Sequence, residues 1–177
     1  MIVSAPYRSG GTSLCIQLAN QYNLEFAGQI DYNAVPFTRM EDKNSIHEYN
    51  NQPDHTVQDI NRLLIDDSDS VVLNNSNPAL FARTNYFIMR RDMTQVYASI
   101  YWMMNKLYPN MHMNTVEVMF KRITFYNALF LDYVKTTGTT ALILEEQPWY
   151  QPKEPQAIPE QIQHMIPTYI KYLEEFR

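Results

Sequence analysis

The chain has 177 residues, a formal net charge of −5 and an apolar content of 45%, which is the size of one domain, 1–177, able to close its own core without metal or disulfide staples. The acidic balance argues against a nucleic-acid partner but leaves room for one small anionic cofactor held by a local basic pair. The single Cys15 excludes an internal disulfide, no apolar run reaches the ~20 residues of a membrane span, and no secretory leader precedes the first apolar run, so a cytoplasmic protein is expected.

Residues 1–5, Met-Ile-Val-Ser-Ala, read as a short buried strand. Pro6-Tyr7-Arg8-Ser9-Gly10-Gly11-Thr12-Ser13 follows, and Leu14, Cys15, Ile16 and Leu18 then supply the apolar positions of a helix over 11–22. Strand, Gly-Gly turn and helix in this order place backbone N–H groups and the positive end of a helix dipole around one spot, which favours a phosphate. The two glycines permit the backbone angles such an amide nest needs. Arg8 adds a charged fork, and Thr12 and Ser13 add hydroxyl donors. The same residues also suit an ordinary strand–turn–helix corner.

A second strand is expected over 23–28. Residues 31–52 are polar and without period and read as a long loop carrying His47 and Glu48, with His55 just beyond. Asp54 suits the N-cap of a helix with Val57, Ile60, Leu63 and Leu64 on one face. Val71-Val72-Leu73 is a third strand, a continuous apolar run of the parallel-sheet kind. Asn77-Pro78 predicts an N-cap before a first-turn proline and a short helix over 78–83. Tyr86-Phe87-Ile88-Met89 is a fourth strand. Asp92 caps the next helix, Asn114 is expected to cap a long one that Gly138 ends, and 140–144 is a fifth strand. A last helix starts near Pro159, with Pro167 interrupting it. Strands alternating with helices predict an α/β fold of three layers, with a central, mainly parallel sheet of about five strands.

In such a sheet ligands bind outside the carboxyl ends of strands. The fourth strand ends in Arg90-Arg91-Asp92-Met93-Thr94-Gln95-Val96-Tyr97-Ala98-Ser99. Arg91 at the junction and Ser99 two turns into the helix are placed to hold a second phosphate. They equally suit a helix-terminal ion pair and a hydroxyl bonding back to its own turn.

The first loop is not a Walker A sequence, since Ala5 and Gly11 stand where Gly and Lys belong. With its cation at Arg8, ahead of Ser9-Gly10, it resembles the 5′-phosphosulfate loop of the sulfotransferases that use PAPS (3′-phosphoadenosine 5′-phosphosulfate). Residues 91–99 are similar to that family's 3′-phosphate motif: Arg91, Asp92, Val96 and Ser99 match, while Met93, Thr94 and Gln95 depart. Ala141-Leu-Ile-Leu-Glu145-Glu146 resembles a late strand of the family, so the resemblance spans 1–149. It implies a P-loop-type domain that transfers a sulfuryl group from PAPS to a hydroxyl or amine acceptor and leaves adenosine 3′,5′-bisphosphate. Arg8, Ser9, Gly10, Gly11, Thr12 and Ser13 would hold the phosphosulfate, Arg91 and Ser99 the 3′-phosphate, and Arg8 the charge developing on the leaving group.

The resemblance thins in two places. The family's Lys and His after the third strand are replaced by Asn74 and Ser76, neither a useful base near neutral pH. His47 and Glu48 are the alternative catalytic candidates. The Gly-rich basic segment that closes over the nucleotide in the family is also missing, since no Gly follows Gly138. No His, Cys, Asp and Glu spacing suggests a metal. The rival readings are a P-loop kinase or nucleotide hydrolase, and a sulfotransferase-like module that binds without catalysis.

Overall fold

The computed structural model describes residues 1–30, 70–152 and 154–176. Five strands form one sheet: β1 (Ile2–Ser4), β2 (Glu25–Ile30), β3 (Ser70–Asn74), β4 (Tyr86–Met89) and β5 (Ala141–Ile143). Their order is β2-β3-β1-β4-β5, and every neighbouring pair is parallel. The central strand β1 sets Val3 opposite Leu73 on one side and Tyr86 on the other. The connection after β1 runs to β2 on one side and that after β3 runs to β4 on the other, so the strand order reverses between the carboxyl ends of β1 and β3, where open α/β sheets bind ligands.

Helices flank the sheet: α1 (Gly11–Tyr22), α2 (Met93–Leu107), α3 (Met113–Thr137), the single turn α4 (Glu160–Gln163) and α5 (Ile166–Glu174). Alternation along the strands divides the core into two layers. Val3 and Ile88 pack with Leu14, Cys15 and Leu18 of α1. Phe87, one residue from Ile88, joins Val96, Tyr97, Phe120, Phe130 and Leu173 of α2, α3 and α5. Within that second layer the Tyr97 and Thr124 hydroxyls lie 2.6 Å apart, giving both polar groups a partner inside the apolar core.

The local signals account for most boundaries. Asp92 accepts from the Gln95 amide at the start of α2, and Asn77 accepts from Ala79 at the 3-10 turn Pro78–Arg83. Gly138 closes α3 at φ 66°. Pro167 lies in the first turn of α5, where a proline lacks no needed N–H, and separates it from α4. Two expectations differ. The second strand starts at Glu25 rather than at residue 23, because Asn23 ends α1 in the left-handed region at φ 53° and cannot yet be extended. The long helix starts at Met113 after an extended His112 with no side-chain cap, so Asn114 lies inside it. The helix predicted after Asp54 and the segment 31–52 lie outside the described residues. Among the described residues no helix is long and apolar enough to cross a membrane.

Candidate anion-binding site

The segment between β1 and α1 turns sharply. The Ser9 amide donates to the Pro6 carbonyl at 3.2 Å, and Arg8, the third residue of that turn, adopts φ 60°. Arg8 rather than Gly11 therefore shares the left-handed conformation with Gly10, at φ 86°. A side chain costs about 1 kcal/mol or more in this region, so the loop holds some strain. Gly11 is required for a different reason. A methyl group there would come within 2.8 Å of the Ala5 Cβ and would collide with Leu73, so its absence lets α1 sit directly on β1 and β3.

Helix α1 begins without a side-chain cap. Its first intrahelical bond runs from the Leu14 amide to the Gly10 carbonyl at 3.0 Å. The amides of Gly10, Gly11, Thr12 and Ser13 precede that bond and have no acceptor within the helix. Ser9 is 1% exposed, and its hydroxyl has no hydrogen-bond partner among the described residues. An unsatisfied buried hydroxyl beside free helix amides is a place for a ligand acceptor.

These groups open on a cleft of about 400 Å³ lined by residues 6–13 from the loop, Leu73 of β3 and Asn75 just after it, Arg90 at the end of β4, Gln95, Ser99 and Met103 along α2, and Tyr150, Glu154 and Gln156 from the segment between β5 and α4. The Arg8 Nε donates to the Ser99 Oγ at 2.8 Å. The Arg8 guanidinium is held below its ordinary pKa by burial and by the nearby charge of Arg90. Two cations thus share the same end of the cleft.

Arg90 and Arg91 part company. The Arg90 Nε lies 3.6 Å from the Glu145 carboxylate and has no hydrogen bond among the described residues. Arg91 turns outward and pairs with Glu146, with side chains 65% and 58% exposed. The Glu145 carboxylate also accepts from the Arg91 amide, at 3.0 and 3.1 Å, and from the Asp92 amide at 3.3 Å. Burial pushes its pKa up, but these amides, its own amide and the Arg90 charge together hold it below the ordinary value.

The segment between β5 and α4 is fixed to α2. The Gln95 side-chain amide donates to the Gln156 carbonyl at 3.2 Å and accepts from the Gln156 amide at 2.8 Å. The Trp102 indole donates to the Ala157 carbonyl at 2.8 Å.

Of the predicted site residues, the structure gathers Arg8, Ser9, Gly10, Gly11, Thr12, Ser13 and Ser99 around one cleft. It does not bring Arg91 there. His47 and Glu48 lie outside the described residues. Asn74 and Ser76 are fully buried structural groups: Asn74 bonds Ser4 at 2.8 Å and the Asn77 amide at 2.9 Å, and the Ser76 hydroxyl donates to the Ala5 carbonyl at 3.1 Å. Arg90, Tyr150 and Glu154 join the cleft unanticipated. A second arginine beside Arg91 was the only sequence signal for the first of them.

Comparison of the chain with protein-family models, with curated proteins and with solved structures finds no match.

Proposed function

We propose that this chain is a sulfotransferase that binds PAPS with its phosphosulfate on the loop after β1. The observation that carries the reading is the Arg8 guanidinium at the head of α1, tied to Ser99 and set beside the buried Ser9 hydroxyl, which has no partner among the described residues, and the first amides of the helix. Such a cradle suits an oxyanion whose charge grows as a bond to it breaks. Ser99, fixed by Arg8, supplies a further hydroxyl on the α2 side.

In the proposed step an acceptor oxygen or nitrogen attacks the sulfur through its lone pair. The sulfur–oxygen bond to the phosphate breaks, and its electron pair stays on the phosphate oxygen, opposite Arg8 and the loop amides. The acceptor's proton passes to a side-chain base. Glu154 lines the same cleft and is the group assigned to that role, beside His47 and Glu48 as the other candidates. Tyr150, which also lines the cleft, offers the acceptor an aromatic face.

A specific observation favours a second reading, a nucleotide-binding module without catalysis. The positions after β3 that would carry a Lys and a His are Asn74 and Ser76, and both side chains bind the strand ends together. A thermal melt separates the readings from their rivals. Saturation at one hundred times Kd stabilises by about 2.7 kcal/mol, a shift of roughly 5–10 °C for a chain this size. Adenosine 3′,5′-bisphosphate is expected to give that shift, and ATP with magnesium is not. A shift with ATP and magnesium alone would replace the proposal by a kinase or hydrolase reading. Binding of the bisphosphate without turnover of PAPS over a panel of phenol, alcohol and amine acceptors would favour the module.

A further inference from the structure

The pairing of cations in the cleft goes beyond any single-arginine loop. Arg8 and Arg90 reach the same cleft from the carboxyl ends of two neighbouring parallel strands, one from the β1–α1 turn and the other from the end of β4. Like charges brought together destabilise each other. Glu145 offsets part of this for Arg90, but at 3.6 Å the contact is an ion pair without a hydrogen bond, and the Arg90 Nε is left buried with its proton uncommitted among the described residues. The Glu145 oxygens are meanwhile held by the Arg91 and Asp92 amides. The neighbouring Arg91 is turned to the outer surface against Glu146. A buried guanidinium N–H without an acceptor among the described residues, in a cleft that also holds the Arg8 guanidinium, is completed by an anion.

We propose that Arg90, and not Arg91, is the second anion-binding residue of this cleft, and that together with Arg8 it selects ligands carrying two linked oxyanion groups over those carrying one. The inference rests on reading the cleft as an oxyanion site. The shared chemistry is that of a phosphosulfate or a diphosphate: one group lies on the loop amides and Arg8, and the second bridges Arg8 and Arg90. A single phosphate leaves one guanidinium unanswered.

The test is isothermal titration of inorganic pyrophosphate and orthophosphate into the full chain and into four variants: Arg8→Gln, Arg90→Gln, Arg90→Lys and Arg91→Gln. The wild type is expected to bind pyrophosphate at least tenfold more tightly than orthophosphate. Arg90→Gln should erase that preference, Arg90→Lys should keep part of it because the charge remains without the fork, and Arg91→Gln should change it less than twofold. Titration of adenosine 5′-phosphosulfate against ADP then tells which of the two anhydrides the cleft favours. Pyrophosphate binding that Arg8→Gln weakens but both Arg90 variants leave within twofold would overturn the inference and spare the site. Loss on Arg91→Gln with none on Arg90→Gln or Arg90→Lys would overturn it in favour of Arg91. Absence of pyrophosphate binding by the wild type would overturn the site and the inference together. Arg90→Lys preserves the charge beside Glu145, so it decides the matter if Arg90→Gln fails to fold.

Discussion

The Arg8 Nε donates to the Ser99 Oγ at 2.8 Å, joining the turn after β1 to the middle of α2 across 91 residues of sequence. The bond does two things at once. It fixes the guanidinium that faces the cleft, and it fixes the turn that presents the amides of α1. Loss of either partner therefore loosens the whole cradle.

Arg8→Ala removes a charged donor as well as that tether. A hydrogen bond to a charged group contributes about 1.5–3 kcal/mol, so adenosine 3′,5′-bisphosphate affinity is expected to fall by one to two orders of magnitude. Ser99→Ala leaves the charge in place, and its effect should stay within roughly tenfold on the same scale. Titration calorimetry on the two variants checks the order.

Gly10→Ala and Gly11→Ala should destabilise for different reasons. The first puts a side chain at φ 86° and within 2.5 Å of Leu144. The second overpacks α1 against Ala5 and Leu73. Overpacking costs about 1–3 kcal/mol, which lowers Tm by roughly 2–12 °C at this chain length. Gly138→Ala meets no neighbour within 4 Å and loses only its favourable φ of 66°, so it should be the mildest of the three in the same melts.

Cys15 lies fully buried on the sheet side of α1, and burial pushes its thiol up to about 12. The thiolate is the reactive form, so at pH 8 the native protein should resist a disulfide reagent that labels the unfolded chain within minutes. Labelling rate against denaturant then reports the opening of the α1 layer. Rapid labelling in native buffer would contradict this packing.

Glu145 gives a pH signature. Its carboxyl is held below its ordinary value of 4.5 in the folded protein. The stability it contributes is therefore present above about pH 4.5 and is lost as pH falls through the lower folded value. Glu145→Gln should flatten the acid limb of the Tm profile while leaving the plateau near neutral pH only slightly lowered.

Glu154→Gln tests the base. If the proton of the acceptor passes to this carboxylate, kcat falls by about 10²–10⁴ while the Kd for adenosine 3′,5′-bisphosphate stays within twofold. A parallel loss of nucleotide affinity would instead assign Glu154 to binding.

Much of the fold was legible because its signals are local. Asp92 and Asn77 cap with their own side chains, Gly138 takes its own positive φ, β4 is an unbroken apolar run and β3 is built on the apolar run Val71–Leu73. The start of α3 escaped because His112 caps it by backbone conformation alone, with Asn114 nearby as a better-looking candidate. At the site, the glycine pair marked the loop, but the division of labour did not show. Gly11 is fixed by contacts with Ala5 and Leu73, and the latter lies far along the chain. The choice between Arg90 and Arg91 was equally hidden. Consecutive residues leaving a strand face opposite ways, and which one turns inward depends on Glu145 and Glu146, more than fifty positions later.

The place of β1 in the middle of the sheet also sets the timetable of the newborn chain. Its partners begin at Ser70 and Tyr86, so the opening strand has no neighbour on one side until β3 emerges and none on the other until β4 does. At ribosomal speeds of about 5–20 residues per second, the wait lasts roughly 4–18 s. Through that interval Val3, Leu14 and Leu18, all destined for the interior, travel uncovered. The cradle at the head of α1 is completed only after β3, β4 and α2 have followed it out.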